Sequence, residues 1–198
     1  MSHDTLIHRI ICPAVRAVAD KGVTPNHITT LRLLTGIAAA LGFAQGGLLW
    51  PAIGGVLFVF SMLLDRADGE LARRTGQSSP FGHRYDVVSD CAANALALVG
   101  VGIGQVAALG LLAPVLGVIA GSGVAVLFWQ FQGLALAEVP SLSLWKGRIV
   151  VDADDAAILL PVLVWCGAEI PMLVAAATVT PAAALWLGLR GARARRSG

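Results

Sequence analysis

Long apolar segments separated by short polar connections dominate the sequence. A helix needs roughly 20 mostly apolar residues to cross a bilayer, and six segments approach that length. They lie at residues 27–45, 49–64, 84–107, 110–136, 153–168 and 171–189, and the second continues as a polar helix to about residue 74. The pattern predicts an all-α polytopic membrane protein with six transmembrane helices.

The N-terminal segment has a different pattern, in which apolar and charged positions alternate at helical spacing over residues 3–20. Such a pattern predicts an amphipathic helix that lies in the membrane interface, and a cytosolic tail is the alternative. Pro25 suits the first position of the following helix. We therefore predict an interfacial helix over residues 1–24, a six-helix domain over 25–190 and a basic cytoplasmic tail over 191–198.

Composition supports a membrane location. Hydrophobic residues make up 57% of the chain, charged residues only 13%, and the mean hydropathy is +0.78. Soluble domains usually contain about 25% charged residues, so the sequence leaves no room for a separate soluble domain. Cys12, Cys91 and Cys166 are scattered through apolar segments, which argues against a disulfide framework or a zinc site.

The distribution of basic residues predicts the orientation. The connections near residues 46, 108 and 169 contain no Lys or Arg, whereas the termini and the connections on the other side do. The positive-inside rule then places both termini and residues 66–84 in the cytoplasm. We expect an integral protein of a bacterial inner membrane, and no feature predicts binding to nucleic acid.

Four aspartates lie at the predicted inner ends of the second and third spans. Asp65 and Asp68 are three residues apart, and Asp86 and Asp90 are four apart, so each pair shares one helical face. The short connection between the spans predicts that the helices lie side by side and that the four carboxylates converge. Because carboxylates that converge repel each other, cations must hold them. Hard oxygen ligands favour Mg²⁺, Mn²⁺ or Ca²⁺ over zinc, and two divalent ions suit the charge.

Small residues and an arginine surround these acids. Gly69, Ala72 and Gly82 remove side-chain bulk, so that a ligand can approach the backbone. The planar guanidinium of Arg73 matches the geometry of phosphate oxygens. Metal-binding carboxylates beside an arginine are typical of phosphoryl transfer.

The spacing of these residues carries a resemblance to a known family. Residues 65–90 match the signature DxxDGxxARx8GxxxDxxxD without a departure. In this the chain resembles the CDP-alcohol phosphotransferase (CDP-alcohol phosphatidyltransferase) family. The start of the first span, Pro25-Asn26-xx-Thr29-xx-Arg32, is also similar to that family.

The resemblance implies a role for each acid. Asp65, Asp68 and Asp86 would bind two Mg²⁺ or Mn²⁺ ions. Asp90 would bind one of them and act as the general base on the acceptor hydroxyl. It also implies the residues that bind the nucleotide and its diphosphate, which would be Gly69, Ala72, Arg73, Gly82, Asn26 and Thr29.

The resemblance further implies a membrane transferase of phospholipid biosynthesis that releases CMP and works as a homodimer. The donor would be CDP-diacylglycerol, or alternatively a CDP-linked polar alcohol such as CDP-inositol. The acceptor alcohol stays open. Asp152 either caps the fifth span or, with Lys146 and Arg148, defines an acceptor pocket.

Two other classes of function make different predictions. An ion or metal transporter would have acids near the middle of the membrane on several helices, whereas here they cluster at one edge. A non-catalytic scaffold with this fold is expected to have lost at least one of the four aspartates, and none is lost.

Overall fold

The computed structural model describes residues 22–133, 142–144, 149–151 and 157–196. Seven helices lie in these ranges: α1 (Pro25–Ala44), α2 (Leu49–Thr75), α3 (Pro80–Gly104), α4 (Val106–Leu109), α5 (Leu112–Gly133), α6 (Leu159–Trp165) and α7 (Glu169–Arg196). Two short antiparallel strands, β1 (Leu142–Leu144) and β2 (Ile149–Val151), lie between α5 and α6, with Leu142 opposite Val151. The predicted interfacial helix of residues 1–24 falls almost wholly outside the described residues.

Five of the described helices, α1, α2, α3, α5 and α7, are long and apolar enough to cross a membrane. The predicted fifth span, 153–168, is described only from residue 157, where α6 has seven residues. The prediction of a helical membrane fold is thereby confirmed, and six spans fit it approximately. The hairpin β1–β2 is the exception to all-α structure, and it lies in the connection that was predicted to be polar.

Local signals explain where the helices near the acids begin and end. Pro25 and Pro80 occupy the first turns of α1 and α3, where a missing N–H is tolerated. The Ser79 hydroxyl caps α3 by accepting a hydrogen bond from the Gly82 backbone N–H at 2.9 Å. Gly76 ends α2 with a left-handed φ of 65°. Only residues 76–79 separate α2 from α3, and Gly82 lies in the first turn of α3.

Helix α1 organises the acid end of the bundle. It packs extensively against both α2 and α3, whereas α2 and α3 touch each other only sparsely. Beyond this trio, α3 packs on α5, α5 on α7, and α2 on α6. The prediction that α2 and α3 lie directly side by side is therefore wrong, since α1 bridges the two helices that carry the aspartates.

The surface of the bundle is apolar, as expected of a protein surrounded by lipid. Large hydrophobic side chains are widely exposed, among them Leu41 at 61% and Trp129 at 76%. The buried core combines alanines with larger apolar side chains, and it contains Ala39, Phe43, Phe58, Ala97, Leu98, Val101, Ala120, Leu160, Val164, Leu173 and Ala177. Close approach of small residues is the usual way in which helices associate in lipid.

Gly100 illustrates how closely α1 and α3 approach. A Cβ added at Gly100 would clash with the Ala40 carbonyl oxygen, so we expect Gly100→Ala to lower the free energy of unfolding by about 1–3 kcal/mol. Thermal unfolding in detergent measures the effect. The matched control is Gly69→Ala, because the nearest atom to a Cβ there is 3.6 Å away. Equal stability of the two variants would contradict the packing argument.

Candidate active site

The four signature aspartates lie together where α2 and α3 meet α1. One carboxylate oxygen from each of Asp65, Asp68 and Asp86 lies within 4.8 Å of the other two. Asp90, one turn beyond Asp86 on α3, joins them through a shared contact with Arg32. Asp68 is almost fully buried, with 4% of the residue exposed. The i,i+3 and i,i+4 spacings therefore put the carboxylates on one common site.

Arg32 of α1 lies at the centre of this acid cluster. Its Nη1 atom is 2.6 Å from Asp65 Oδ1 and 2.5 Å from Asp86 Oδ1, and its Nη2 is 2.5 Å from Asp90 Oδ1. The sequence predicted Arg32 only at the start of the first span, with no place among the acids. A signal was available, because a charge inside an apolar span needs a buried partner of opposite sign.

Two further polar side chains hold individual acids. The Thr29 hydroxyl, one turn before Arg32, donates a hydrogen bond to Asp68 Oδ2 at 2.8 Å. Asn94 Nδ2 donates to Asp90 Oδ1 at 3.0 Å and to the Asp90 carbonyl oxygen at 2.9 Å. Sequence reasoning missed Asn94, although it lies one helical turn after Asp90 and on the same face.

A polar cavity of about 240 Å³ opens on one side of the acids. Asp68 and Asp86 line it at the cluster, and the rest of the lining includes all six residues predicted to bind the nucleotide and diphosphate: Asn26, Thr29, Gly69, Ala72, Arg73 and Gly82. A Cβ at Gly82 would lie 3.1 Å from Ser79 Oγ and 3.2 Å from Asn26 Oδ1. A side chain at position 82 would therefore have little room, and glycine leaves the wall of the cavity open.

Arg73 is oriented along the rim of this polar cavity by Glu70. Arg73 Nη2 lies 3.0 Å from Glu70 Oε2, and Arg74 Nε lies 2.5 Å from the other oxygen of the same carboxylate. The Arg73 side chain remains 62% exposed, so it is accessible to a ligand in the cavity.

A second, larger cavity of about 500 Å³ opens on the other side of the acids. Its polar end is formed by Arg32, Asp65, Arg66, Asp90 and Asn94. The rest of its lining is mostly apolar and comes from α2, α3, α5, α6 and α7, with Phe58, Met62, Leu98, Val124, Leu127, Phe128, Phe131, Leu160, Leu163 and Met172 among the side chains. The acid cluster therefore separates a small polar cavity from a large apolar one.

The cluster has the donor chemistry of a hard-cation site. Its ligand atoms are all carboxylate oxygens, and three of them can point at one ion. Asp65, Asp68 and Asp86 thus fit a divalent cation such as Mg²⁺. The predicted acceptor residues Lys146, Arg148 and Asp152 lie outside the described residues.

Comparisons with known proteins agree with this site. The family model described as CDP-alcohol phosphatidyltransferase matches residues 22–151. Archaetidylinositol phosphate synthase from Pyrococcus horikoshii is 32% identical over 89 residues, which are 45% of this chain and 46% of that protein. Phosphatidylinositol phosphate synthase from Streptomyces avermitilis is 36% identical over 83 residues, which are 41% of this chain and 33% of that protein. The chain thus spans less than half of the length of these curated relatives.

A solved structure supports the fold over nearly the whole chain. The crystal structure of Mycobacterium tuberculosis phosphatidylinositol phosphate synthase with CDP-DAG bound superposes with a TM-score of 0.66. The superposition covers 90% of this chain and 93% of that one, at 18% sequence identity. The two proteins therefore share an architecture despite distant sequences.

Proposed function

The chain belongs to the CDP-alcohol phosphatidyltransferase family, and we propose that it transfers a phosphatidyl group from CDP-diacylglycerol to an acceptor alcohol, with release of CMP. The observation that carries this proposal is the position of the acid cluster between a cavity lined mostly by polar residues and a larger cavity lined mostly by apolar residues. A donor that joins a polar nucleotide to a lipid through a diphosphate matches that arrangement.

The polar cavity would hold the nucleotide half of the donor. Gly69, Ala72 and Gly82 leave room for the cytidine, and Arg73 presents a guanidinium to the diphosphate. Thr29 and Asn26 line the same wall. The diphosphate would then lie at the boundary between the cavities, against the four aspartates.

The apolar cavity would hold the lipid half. The alcohol of the donor is attached to the β-phosphorus and extends away from the departing CMP, so it enters the space beyond the acids. A cavity lined by Phe128, Leu127 and Met172 suits acyl chains better than a polyhydroxy alcohol. This lining favours CDP-diacylglycerol over a CDP-linked polar alcohol such as CDP-inositol as the donor.

A divalent cation is part of the proposal. Asp65, Asp68 and Asp86 would hold one Mg²⁺ or Mn²⁺ ion, and Asp90 would share in binding a second. When bound, such ions neutralise the diphosphate and stabilise the charge that develops on CMP.

Asp90 is the residue to which we assign proton transfer. One of its carboxylate oxygens would accept the proton of the acceptor hydroxyl as the hydroxyl oxygen bonds to the β-phosphorus and the bond from that phosphorus to CMP breaks. Asn94 donates to Asp90 Oδ1 at 3.0 Å, which fixes the orientation of the carboxylate. The proton passes from Asp90 to solvent after CMP leaves.

The acceptor is identified by experiment. Purified protein in detergent is supplied with Mg²⁺ and CDP-diacylglycerol, each reaction contains one candidate acceptor, and CMP release is measured. Glycerol 3-phosphate, inositol 1-phosphate, inositol and serine are the first four acceptors. Release with one acceptor supports the reaction and names its substrate. If none supports release, CDP-linked polar alcohols replace the lipid donor, and failure of these as well would contradict the proposed reaction.

We further propose that the acid end of the bundle faces the cytoplasm of a bacterial cell and that two chains form a homodimer. Support for the orientation comes from the basic residues of α2 and α3 near the acids, among them Arg66, Arg73, Arg74 and Arg84. Labelling of single cysteines introduced near residues 78 and 108, in intact cells and in lysed cells, tests the orientation.

Gly69 provides a test of the nucleotide cavity. A Cβ at Gly69 meets only Arg73 Nη1, at 3.6 Å, so Gly69→Leu should fold normally but fill the cavity. We expect the KM for the donor to rise about ten- to a hundredfold, with little change in thermal stability. Steady-state CMP release and thermal unfolding measure the two effects. An unchanged KM would place the nucleotide elsewhere.

A further inference from the structure

Arg32 is more deeply buried than the three aspartates that its guanidinium contacts. It is 1% exposed, and its guanidinium contacts Asp65, Asp86 and Asp90 at 2.5–2.6 Å. The side chains of those aspartates remain 28–38% exposed. These three carboxylates are therefore more open to the cavities than the arginine that they surround.

The backbone of α1 fixes this arginine in place. The Ser61 hydroxyl of α2 donates a hydrogen bond to the Arg32 carbonyl oxygen at 2.9 Å. A Cβ at Gly36, one turn further along α1, would lie 2.8 Å from the Ala93 Cβ of α3, so α1 and α3 touch there. Because α1 is held against both acid-bearing helices, Arg32 has little freedom to withdraw from the cluster.

A buried arginine in this position satisfies part of the charge requirement of the aspartates. Carboxylates that share a site repel each other unless a cation is present, and burial of an uncompensated charge is costly. One guanidinium cannot balance four carboxylates, so the cluster still attracts divalent cations. Arg32 contacts Oδ1 of Asp65, Asp86 and Asp90, and Asp65 and Asp86 also belong to the group of three carboxylates that can hold one ion.

We propose that Arg32 is a resident counter-cation, which holds the aspartates together in the metal-free protein and competes with divalent ions for their oxygens. Arg32 is thus a positioning residue that sets the metal affinity of the site. The inference rests on the metal site of the proposed function, but it depends neither on the acceptor nor on the identity of the donor.

Two opposite effects of Arg32 removal follow from this competition. Without the guanidinium, the metal-free cluster loses its compensating charge and the fold becomes less stable. The same loss leaves the carboxylate oxygens with more negative potential and no competing donor, so a divalent ion binds more tightly. By linkage, the ion then stabilises the variant more than it stabilises the wild type. A purely structural arginine would lower stability equally with and without metal.

The test uses the full chain in detergent and two readouts that need no substrate. Thermal unfolding is recorded in EDTA and across a Mg²⁺ titration, and Mn²⁺ binding is measured from the electron paramagnetic resonance signal of free Mn²⁺. For Arg32→Gln we expect a lower Tm in EDTA, a larger Tm increase with Mg²⁺, and about tenfold or more tighter Mn²⁺ binding, as the coupling of close charge pairs implies.

Two other variants keep the test decisive. Arg32→Lys retains the charge and should lie between the wild type and Arg32→Gln, and it replaces Arg32→Gln if that variant does not fold in EDTA. Arg84→Gln removes an exposed arginine two residues before Asp86 and should leave both readouts unchanged.

Unchanged or weaker Mn²⁺ binding by the Arg32 variants, with an equal loss of Tm in EDTA and in Mg²⁺, would overturn the inference. Failure of the wild type to bind Mn²⁺ would overturn both this inference and the metal site. Mn²⁺ binding that responds to Arg32 as expected, without CMP release from any donor, would overturn the proposed reaction alone.

Discussion

Replacing Asp90 by asparagine is expected to lower the rate of CMP release about 10²- to 10⁴-fold, the usual contribution of a general base. Asparagine has nearly the same shape, but its amide cannot accept the proton of the acceptor hydroxyl. Asp90 lies at the polar end of the apolar cavity, where an acceptor would approach, and Asn94 orients it at 3.0 Å. Because Asp65, Asp68 and Asp86 are unchanged, the variant should still fold and bind the donor.

Glu169→Gln is the matched control for Asp90→Asn. Glu169 begins α7, at the end of the bundle where the Trp165 indole N–H donates to the Ala52 carbonyl near the start of α2. The substitution is the same chemical change at the end remote from the acids, and it should leave activity unchanged. A thermal shift with CDP-diacylglycerol reports donor binding by both variants. Full activity of Asp90→Asn would remove Asp90 as the base.

The sequence predicted which acids share a helical face because that depends only on local spacing. Two carboxylates three or four residues apart on a helix must share a face, so Asp65 with Asp68 and Asp86 with Asp90 needed no tertiary information. Gly69 and Arg73 lie close to Asp68 on the same helix, so their place beside the acids could also be predicted from local spacing. In both cases helical periodicity determines which side chains share a face, and the structure adds only the relative placement of α2 and α3.

The position of α1 between α2 and α3 could not be predicted from the sequence. A short connection suggested that α2 and α3 pack directly, but residues 76–79 leave them splayed around α1. That arrangement depends on small residues such as Gly36 and Gly100, which let α1 approach closely. The contacts between Arg32 and the acids join residues far apart in the chain, and helical periodicity alone cannot reveal them.

The interaction of Glu70 was also hidden from sequence reasoning. Glu70 occupies a variable position of the signature, where a charged side chain is usually expected to face solvent. Its side chain is only 12% exposed and bonds Arg73 and Arg74. Two arginines three and four residues later could have indicated this pairing, since both spacings bring charges together on a helix.

Removal of divalent cations is expected to abolish CMP release, and added Mg²⁺ or Mn²⁺ should restore it. The diphosphate of the donor must approach Asp65, Asp68 and Asp86, whose oxygens lie within 4.8 Å of one another. Arg32 alone leaves the acid cluster with a net negative charge. The cluster therefore repels the donor diphosphate unless a cation lies between the carboxylates and the phosphates. Measurement of CMP release after dialysis against EDTA, and again after dialysis against EDTA saturated with Mg²⁺, separates loss of metal from any effect of the chelator.

Asp86→Asn connects this requirement to the acid cluster. The substitution removes one of the three carboxylates that can jointly bind an ion. We therefore expect it to raise the Mg²⁺ concentration needed for half-maximal activity and to lower the maximal rate. Glu70→Gln is the nearby comparison, because it removes a carboxylate that binds arginines rather than the cluster, and it should leave the Mg²⁺ requirement unchanged. Activity that survives thorough chelation would contradict the metal scheme, whereas an equal Mg²⁺ requirement in both variants would place the ion outside the acid cluster.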